Sequence, residues 1–126
     1  MQNKENNAVN SVTLTKDKLE ILAPIADYFK VLSEVSRLQI LRCLRHGSKN
    51  VSEIMAEAGL GQANVSKHLK ILLQAGLVRR EQRGVSVYYE INDPLIFDLC
   101  DLVCNSLSDR LVAQTQQLAQ LTKLRL

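Results

Sequence analysis

The sequence predicts a mainly helical domain carrying one small β-hairpin, and three observations carry that prediction. Apolar residues recur at helical spacing in several segments before Gly76, as with Leu22, Ala26, Phe29 and Leu32 (joined by Ile25) in the first. A short stretch then alternates, with Val85, Val87, Tyr89 and Ile91 on one face and Ser86, Tyr88 and Glu90 on the other. Beyond it Cys100, Cys104, Leu107, Leu111, Gln114, Leu118 and Leu121 follow spacings of 4, 3, 4, 3, 4 and 3, a heptad seam on a last helix.

At 126 residues the chain is read as a polar, flexible tail over 1–16 and one domain over 17–126. No segment approaches the roughly 20 apolar residues that span a bilayer, and the polar start MQNKENNAVN has no secretory core. A cytoplasmic protein with no membrane partner is expected. The three cysteines, Cys43, Cys100 and Cys104, are an odd count and argue against a structural disulfide framework. No glycine-rich phosphate loop and no Ser/His/Asp set is present, so an enzyme is not expected.

The first helix is expected over about Asp17–Leu32, with Pro24 either kinking its early turns or marking its true start. Ser33 is read as the N-cap of a second helix over about Glu34–Arg45, with Leu38, Leu41 and Leu44 inward and Arg37, Arg42 and Arg45 outward. His46-Gly47 ends it, the imidazole near the last carbonyls. Asn50-Val51-Ser52-Glu53 reads as a capping box opening a third, short helix that stops before Gly59. A fourth runs from near Gln62 to Gly76, so that two short helices flank Gly59-Leu60-Gly61 at helix-turn-helix spacing.

In that fourth helix Val65, Leu69, Leu72 and Leu73 are expected inside. Asn64, Ser66, Lys67, Lys70 and Gln74 are expected to face solvent. Amides pair bidentately with adenine, and ammonium groups donate to guanine or phosphate. From Gln62 to Arg83 five cations (Lys67, Lys70, Arg79, Arg80, Arg83) stand against one acid, Glu81, a local +4 beside +3 for the whole chain. Positive charge concentrated on one helix and the hairpin after it predicts contact with a duplex. Arg83-Gly84 is placed at the hairpin tip, where glycine tolerates positive φ and arginine reaches a groove or phosphate. Tyr89 is read as core and Tyr88 as exposed or interfacial. The charge run as plain solvated surface, or the domain as a protein–protein interaction module, are the competing readings. Asp93 is read as the cap and Pro94 as the first residue of the last helix, about Pro94–Leu121, whose seam suits a second copy of itself.

The words LSEVSRLQILRCL (Leu32–Leu44), VSEI…GLGQANVSKHLKILLQAGLV (Val51–Val78) and RGVSVYYEI (Arg83–Ile91) resemble the ArsR/SmtB family of bacterial repressors over about Ile25–Leu111. The resemblance implies a winged helix-turn-helix, homodimeric through the first and last helices, with Leu22, Phe29, Leu107, Leu111 and Leu118 in the interface. It implies a repressor that holds a pseudo-palindromic double-stranded operator through Gln62, Asn64, Ser66, Lys67, His68, Lys70, Arg79, Arg80, Arg83 and Gly84 until an effector loosens it. Two departures stand out. Glu34-Val35-Ser36 replaces the usual Asp-Pro-Thr before Arg37, and Gly61 stands where a capping serine is common.

The family's sensing sites narrow the effector. The last helix has no His for the zinc-type site, and the third helix has no thiol for the cadmium- and lead-type site. Cys100 and Cys104, four apart, share a helix face with Cβ atoms about 6 Å apart, long for a disulfide and suited to a bridging soft ion. Cys43 or a partner thiol is the candidate third donor. Arsenite- and antimonite-responsive relatives use cysteines on this helix, so arsenic(III), antimony(III) or another soft thiophilic ion is the leading effector, with no obligatory cofactor. A redox or persulfide sensor pairing Cys43 with Cys100 or Cys104 is the alternative, although Cys43 stands one position after the usual thiol of that type. Burial of the cysteines as small hydrophobes is the plain third reading. His46 and His68 have no ligand-spaced partner, and His68 is equally suited to packing.

Overall fold

The computed structural model describes residues 18–124, so the expected tail and Asp17 lie outside the described residues. Its contacts group into two units, the first ending at Ile91 and the second beginning at Asn92. No helix among the described residues is long and apolar enough to cross a membrane.

In the first unit, helix α1 occupies residues 18–32 and continues through Pro24, which therefore does not mark its start. Leu19, Ile21, Leu22, Ile25 and Phe29 are all exposed on it. Ser33 belongs to the end of α1 and not to the start of the next helix. Its hydroxyl donates to the Lys30 carbonyl at 2.7 Å, and α2 (Val35–Cys43) is entered from an extended Glu34 with no side-chain cap. A 3-10 turn over Leu44–His46 follows α2.

The inner face of α2 is rotated from the one the leucine spacing suggests. Ile40, Leu41, Cys43 and Leu44 are buried, whereas Leu38 is 39% exposed. At 100° per residue, Arg37 (three, four and seven positions before Ile40, Leu41 and Leu44) is the residue that shares their face. It is half-buried, and of the three arginines expected outside only Arg42 and Arg45 are exposed.

Helix α3 (Val51–Ala58) opens with both halves of the capping box. The Glu53 amide donates to Asn50 Oδ1 at 2.9 Å, and the Asn50 amide donates to Glu53 Oε1 at 3.1 Å. Gly59 closes it in the left-handed region at φ 68°. Helix α4 (Gln62–Gln74) starts at Gly61 and ends in a Schellman turn, with the Leu77 amide on the Leu72 carbonyl and the Gly76 amide on that of Leu73. That turn holds Gly76 at φ 76° and drives Leu77 into the core. The core of this unit is Ile40, Leu41 and Leu44 with Ile54 of α3, Val65, Leu69 and Leu72 of α4, and Leu77 and Val78.

A three-stranded antiparallel sheet in the order β1-β3-β2 completes the unit, built from β1 (Lys49–Asn50), β2 (Val78–Arg83) and β3 (Ser86–Ile91). The hairpin was expected, and β1 is an addition. It is two residues long, too short to alternate, and forms because Lys49 and Asn50 pair with Tyr89 and Tyr88. Arg83 pairs with Ser86, so the tip is Gly84-Val85. Gly84 has φ 62°, and among the described residues no residue other than glycine has positive φ, the pattern of a two-residue type II′ turn. Val85 is therefore a loop residue, fully exposed, and does not extend the apolar face of β3. Tyr88 and Tyr89 are both half-buried, so neither is core.

In the second unit, α5 spans Leu95–Lys123, and at 29 residues is about 43 Å long. Asp93 Oδ1 accepts from the Leu95 amide at 3.0 Å, but Pro94 is the residue that precedes the helix, so α5 begins one residue later than expected. Every residue from Leu102 to Leu124 is exposed.

Asn50→Ala removes the side-chain acceptor of the capping box. It is expected to lower unfolding stability by about 1 kcal/mol, read as a shift in the urea midpoint with unchanged slope.

Candidate nucleic-acid interface and thiol positions

Helix α4 is two-sided. Val65, Leu69 and Leu72 anchor its back, at most 1% exposed, while Gln62, Asn64, Ser66, Lys67, Lys70 and Gln74 are exposed. Leu73 is half-buried. This leaves amides, a hydroxyl and two ammonium groups projecting from one helix, a set that donates to and accepts from base edges and donates to phosphates.

His68 departs from the expected contact set. It is 6% exposed and is the one buried polar side chain among the described residues. Arg37 Nη1 lies 3.3 Å from its Nδ1. A guanidinium has only donors, so Nδ1 accepts, and the imidazole is neutral with its proton on Nε2. Burial first and Arg37 second push the imidazole's pKa below 6.5. Lys67 acts in the same direction, against a smaller upward pull from Glu34. The same Arg37 donates from Nε to the Val31 carbonyl at 2.5 Å and from Nη2 to that of Lys30 at 3.3 Å. The sequence signal for this arginine was its helical register with Ile40, Leu41 and Leu44, outweighed by its charge.

The hairpin presents its cations differently on its two faces. Arg79, Glu81, Arg83, Ser86, Tyr88 and Glu90 share one face by register. There Arg79 Nε meets Glu90 Oε1 at 2.6 Å and Arg83 Nη2 meets Glu81 Oε2 at 3.2 Å. The Arg83 guanidinium also lies 4.7 Å from the centre of the Tyr88 ring. Arg80 is exposed on the opposite face. Among the described residues no ion pair engages Lys67, Lys70 or Arg80. Exposed ion pairs are worth only about 0–1 kcal/mol, so the pairing of Arg79 and Arg83 orients them without withholding them from a phosphate.

The thiols occupy three different environments. Cys43 is buried, in a hollow of about 240 Å³ shared with Gln39, Arg42, Glu57 and Ala58. Burial raises its pKa, and Glu57 adds to this against smaller opposing effects of Lys49 and Arg42. Glu57 is itself paired with Lys49 at 3.0 Å. Cys100 is half-buried and Cys104 exposed, four residues apart on α5. None of the three is in a disulfide. Among the described residues no three His, Cys, Asp or Glu side chains form a metal-holding group. The residues expected in a dimer interface, Leu22, Phe29, Leu107, Leu111 and Leu118, are 52–65% exposed in the single chain.

Comparison with known proteins places this arrangement. The family described as "Bacterial regulatory protein, arsR family" matches residues 34–80, from the start of α2 into β2. The arsenical resistance operon repressor of Bacillus subtilis is 35% identical over 81 residues, which cover 64% of this chain and 77% of that repressor. The chain belongs to the ArsR family. It is a winged helix-turn-helix transcription regulator and not an enzyme. A probable mercury resistance operon repressor of Streptomyces lividans is 32% identical over 74 residues, 59% of each chain. The solution structure of a homodimeric winged helix-turn-helix DNA-binding domain from Mycobacterium bovis, a possible ArsR-family regulator, superposes with a TM-score of 0.67. It is 31% identical and covers 75% of this chain and 87% of that domain.

The depressed His68 pKa has a signed consequence. Above 6.5 the imidazole is neutral in folded and unfolded chains alike. As pH falls below 6.5 the unfolded chain takes up a proton that the folded one resists, so stability is lost. Urea midpoints on either side of that pH are expected to fall more for the wild type than for His68→Gln, which does not titrate.

Proposed function

We propose that two copies of this chain form a repressor dimer that sets its two α4 helices in successive major grooves of a pseudo-palindromic operator. Such grooves lie about 34–36 Å apart. The observation that carries this reading is the division of α4 into a buried apolar back and an exposed polar, basic front. Gln62, Asn64 and Ser66 read base edges, and Lys67 and Lys70 hold phosphate or guanine. Arg79, Arg80 and Arg83 hold the flanking backbone, with Gly84 allowing the tip to approach it. His68 is left out of the contact set because it is buried. The exposed apolar residues of α1 and of α5 supply the dimer surface, in keeping with the homodimeric relative from Mycobacterium bovis.

The effector is proposed to be a soft thiophilic ion, arsenic(III) or antimony(III) first, held by Cys100 and Cys104. Two sulfur donors on one helix face fit such an ion, and a partner thiol would complete a trigonal set. The ion itself supplies strong bonds to thiolate sulfur. Cys43 is the weaker candidate, because its thiol is buried and its pKa raised, which suppresses the thiolate that binds or attacks. This also counts against the redox alternative, which needs Cys43. The arsenical and mercury resistance repressors among the relatives are named for soft thiophilic elements, in line with this choice.

Selection from random duplexes with the full chain supplies the DNA probe. Lys67→Ala and Lys70→Ala are each expected to weaken binding across sequences and to lower the slope of log K against log salt by about one. Affinity and slope unchanged in both would remove α4 from the interface. In DNA-release titrations arsenite is expected to act on wild type and Cys43→Ser and to fail on Cys104→Ser. Release by polysulfide through Cys43, without release by arsenite, would reverse the ranking of effectors.

A further inference from the structure

The donors of Arg37 reach two other helices at once. Its Nε and Nη2 take the Val31 and Lys30 carbonyls at the C-terminal end of α1, and Nη1 takes His68 Nδ1 on α4. The last carbonyls of a helix carry its negative dipole end, which a guanidinium neutralises; Arg37 Nε takes the Val31 carbonyl, while the Lys30 carbonyl it also reaches accepts from the Ser33 amide and hydroxyl as well. On α4 the contact sits at a rotationally informative place. Ser66 and Lys70, two residues either side of His68, lie about 160° around the helix from it. Turning α4 about its axis therefore breaks the Arg37 contact and sweeps the exposed polar face away from a groove by the same angle.

We infer that Arg37 and His68 are positioning residues for DNA reading, a three-point clamp that ties the rotation of α4 to the end of α1. The inference rests on the DNA-reading role proposed above and assigns that role a source of precision. Neither residue touches DNA. Because α1 carries exposed apolar residues proposed to meet a second copy, the clamp passes the setting of the dimer to the reading face. Lysine does not replace arginine here, since a single ammonium on a flexible stem does not span three acceptors on two helices.

The test compares substitutions that separate clamping from packing. Affinity for the duplex recovered by selection is measured by fluorescence anisotropy, beside thermal melting and sedimentation of each full-length variant. His68→Leu keeps the buried volume and removes the acceptor, whereas His68→Gln restores an acceptor through its amide oxygen. Affinity is expected to fall about tenfold in His68→Leu and in Arg37→Lys and to stay within about twofold of wild type in His68→Gln. The double variant Arg37→Lys/His68→Leu is expected to bind no worse than either single one, since both break the same contact. A packing role alone reverses the order, because leucine suits a buried apolar site better than glutamine. His68→Leu binding as well as His68→Gln, or losses that multiply in the double variant, would overturn the inference. Wild-type protein that recovers no duplex would overturn the DNA-reading role, and this one with it.

Discussion

The constraint on which the proposed DNA-reading surface depends is the burial of Val65, Leu69 and Leu72 behind it. Each such side chain contributes about 1.5–3 kcal/mol when removed from water, against about 0–1 kcal/mol for the exposed ion pairs of the hairpin. Apolar packing against α2 and α3 thus decides where α4 lies, and the charges on its front follow. Gly61 and Gly76 bound the helix without adding side chains at its ends, and the Schellman turn at Gly76 feeds Leu77 and Val78 straight into the same core. The strand that carries the arginines therefore starts from a fixed point, and the hairpin inherits its direction from the helix before it.

The hairpin shows a second use of weak interactions. Arg79 and Arg83 are long, flexible cations that lose rotamer entropy when they bind a phosphate. Opposite partners across the strands, Glu90 for Arg79 and the Glu81–Tyr88 pair for Arg83, already hold them extended on one face. These contacts add little to stability. Their effect is on the state from which a phosphate contact is made, since a side chain held in place forfeits less freedom on binding. Arg80, on the other face and in no such pair among the described residues, lacks that advantage.

What the sequence made legible was chiefly local chemistry. The Asn50–Glu53 box and the glycine stops at Gly59 and Gly76 depend on residues within a few positions and formed as read, whereas α5 begins at Leu95, one residue after the expected Pro94, and β3 formed as a strand whose two faces are equally half-buried. The departures came where two segments distant in sequence decide. Leu38, Leu41 and Leu44 offered a helical stripe as regular as the true one, and only the packing partners of α2 select the face that includes Arg37. Ser33 had a good capping side chain for α2 but lies closer to the Lys30 carbonyl. Strand β1 exists only because β3 lies beside it. In α4 the exposed polar face was legible from periodicity, while the burial of His68 was not, because its partner stands 31 residues earlier.

The two units differ in how much of their apolar surface they satisfy alone, and this bears on how an effector signal is generated. Behind α4 the first unit has a closed core of Ile40, Leu41, Leu44, Ile54, Val65, Leu69 and Leu72, although its α1 leaves Leu19, Ile21, Leu22, Ile25 and Phe29 exposed. In α5, by contrast, Leu107, Leu111, Leu118 and Leu121 share a heptad seam with Cys100 and Cys104, and all four leucines are exposed. A helix in that condition has its arrangement set by what it pairs with. In the proposed dimer the thiols stand near the beginning of the exposed stretch, so an ion bound there acts on the geometry of pairing without disturbing a packed core. A tenfold change in operator occupancy requires only about 1.4 kcal/mol of difference between two pairings. That is about what burying one or two methylene groups contributes, so a small shift along an unsatisfied seam suffices where the closed core of the first unit would resist it.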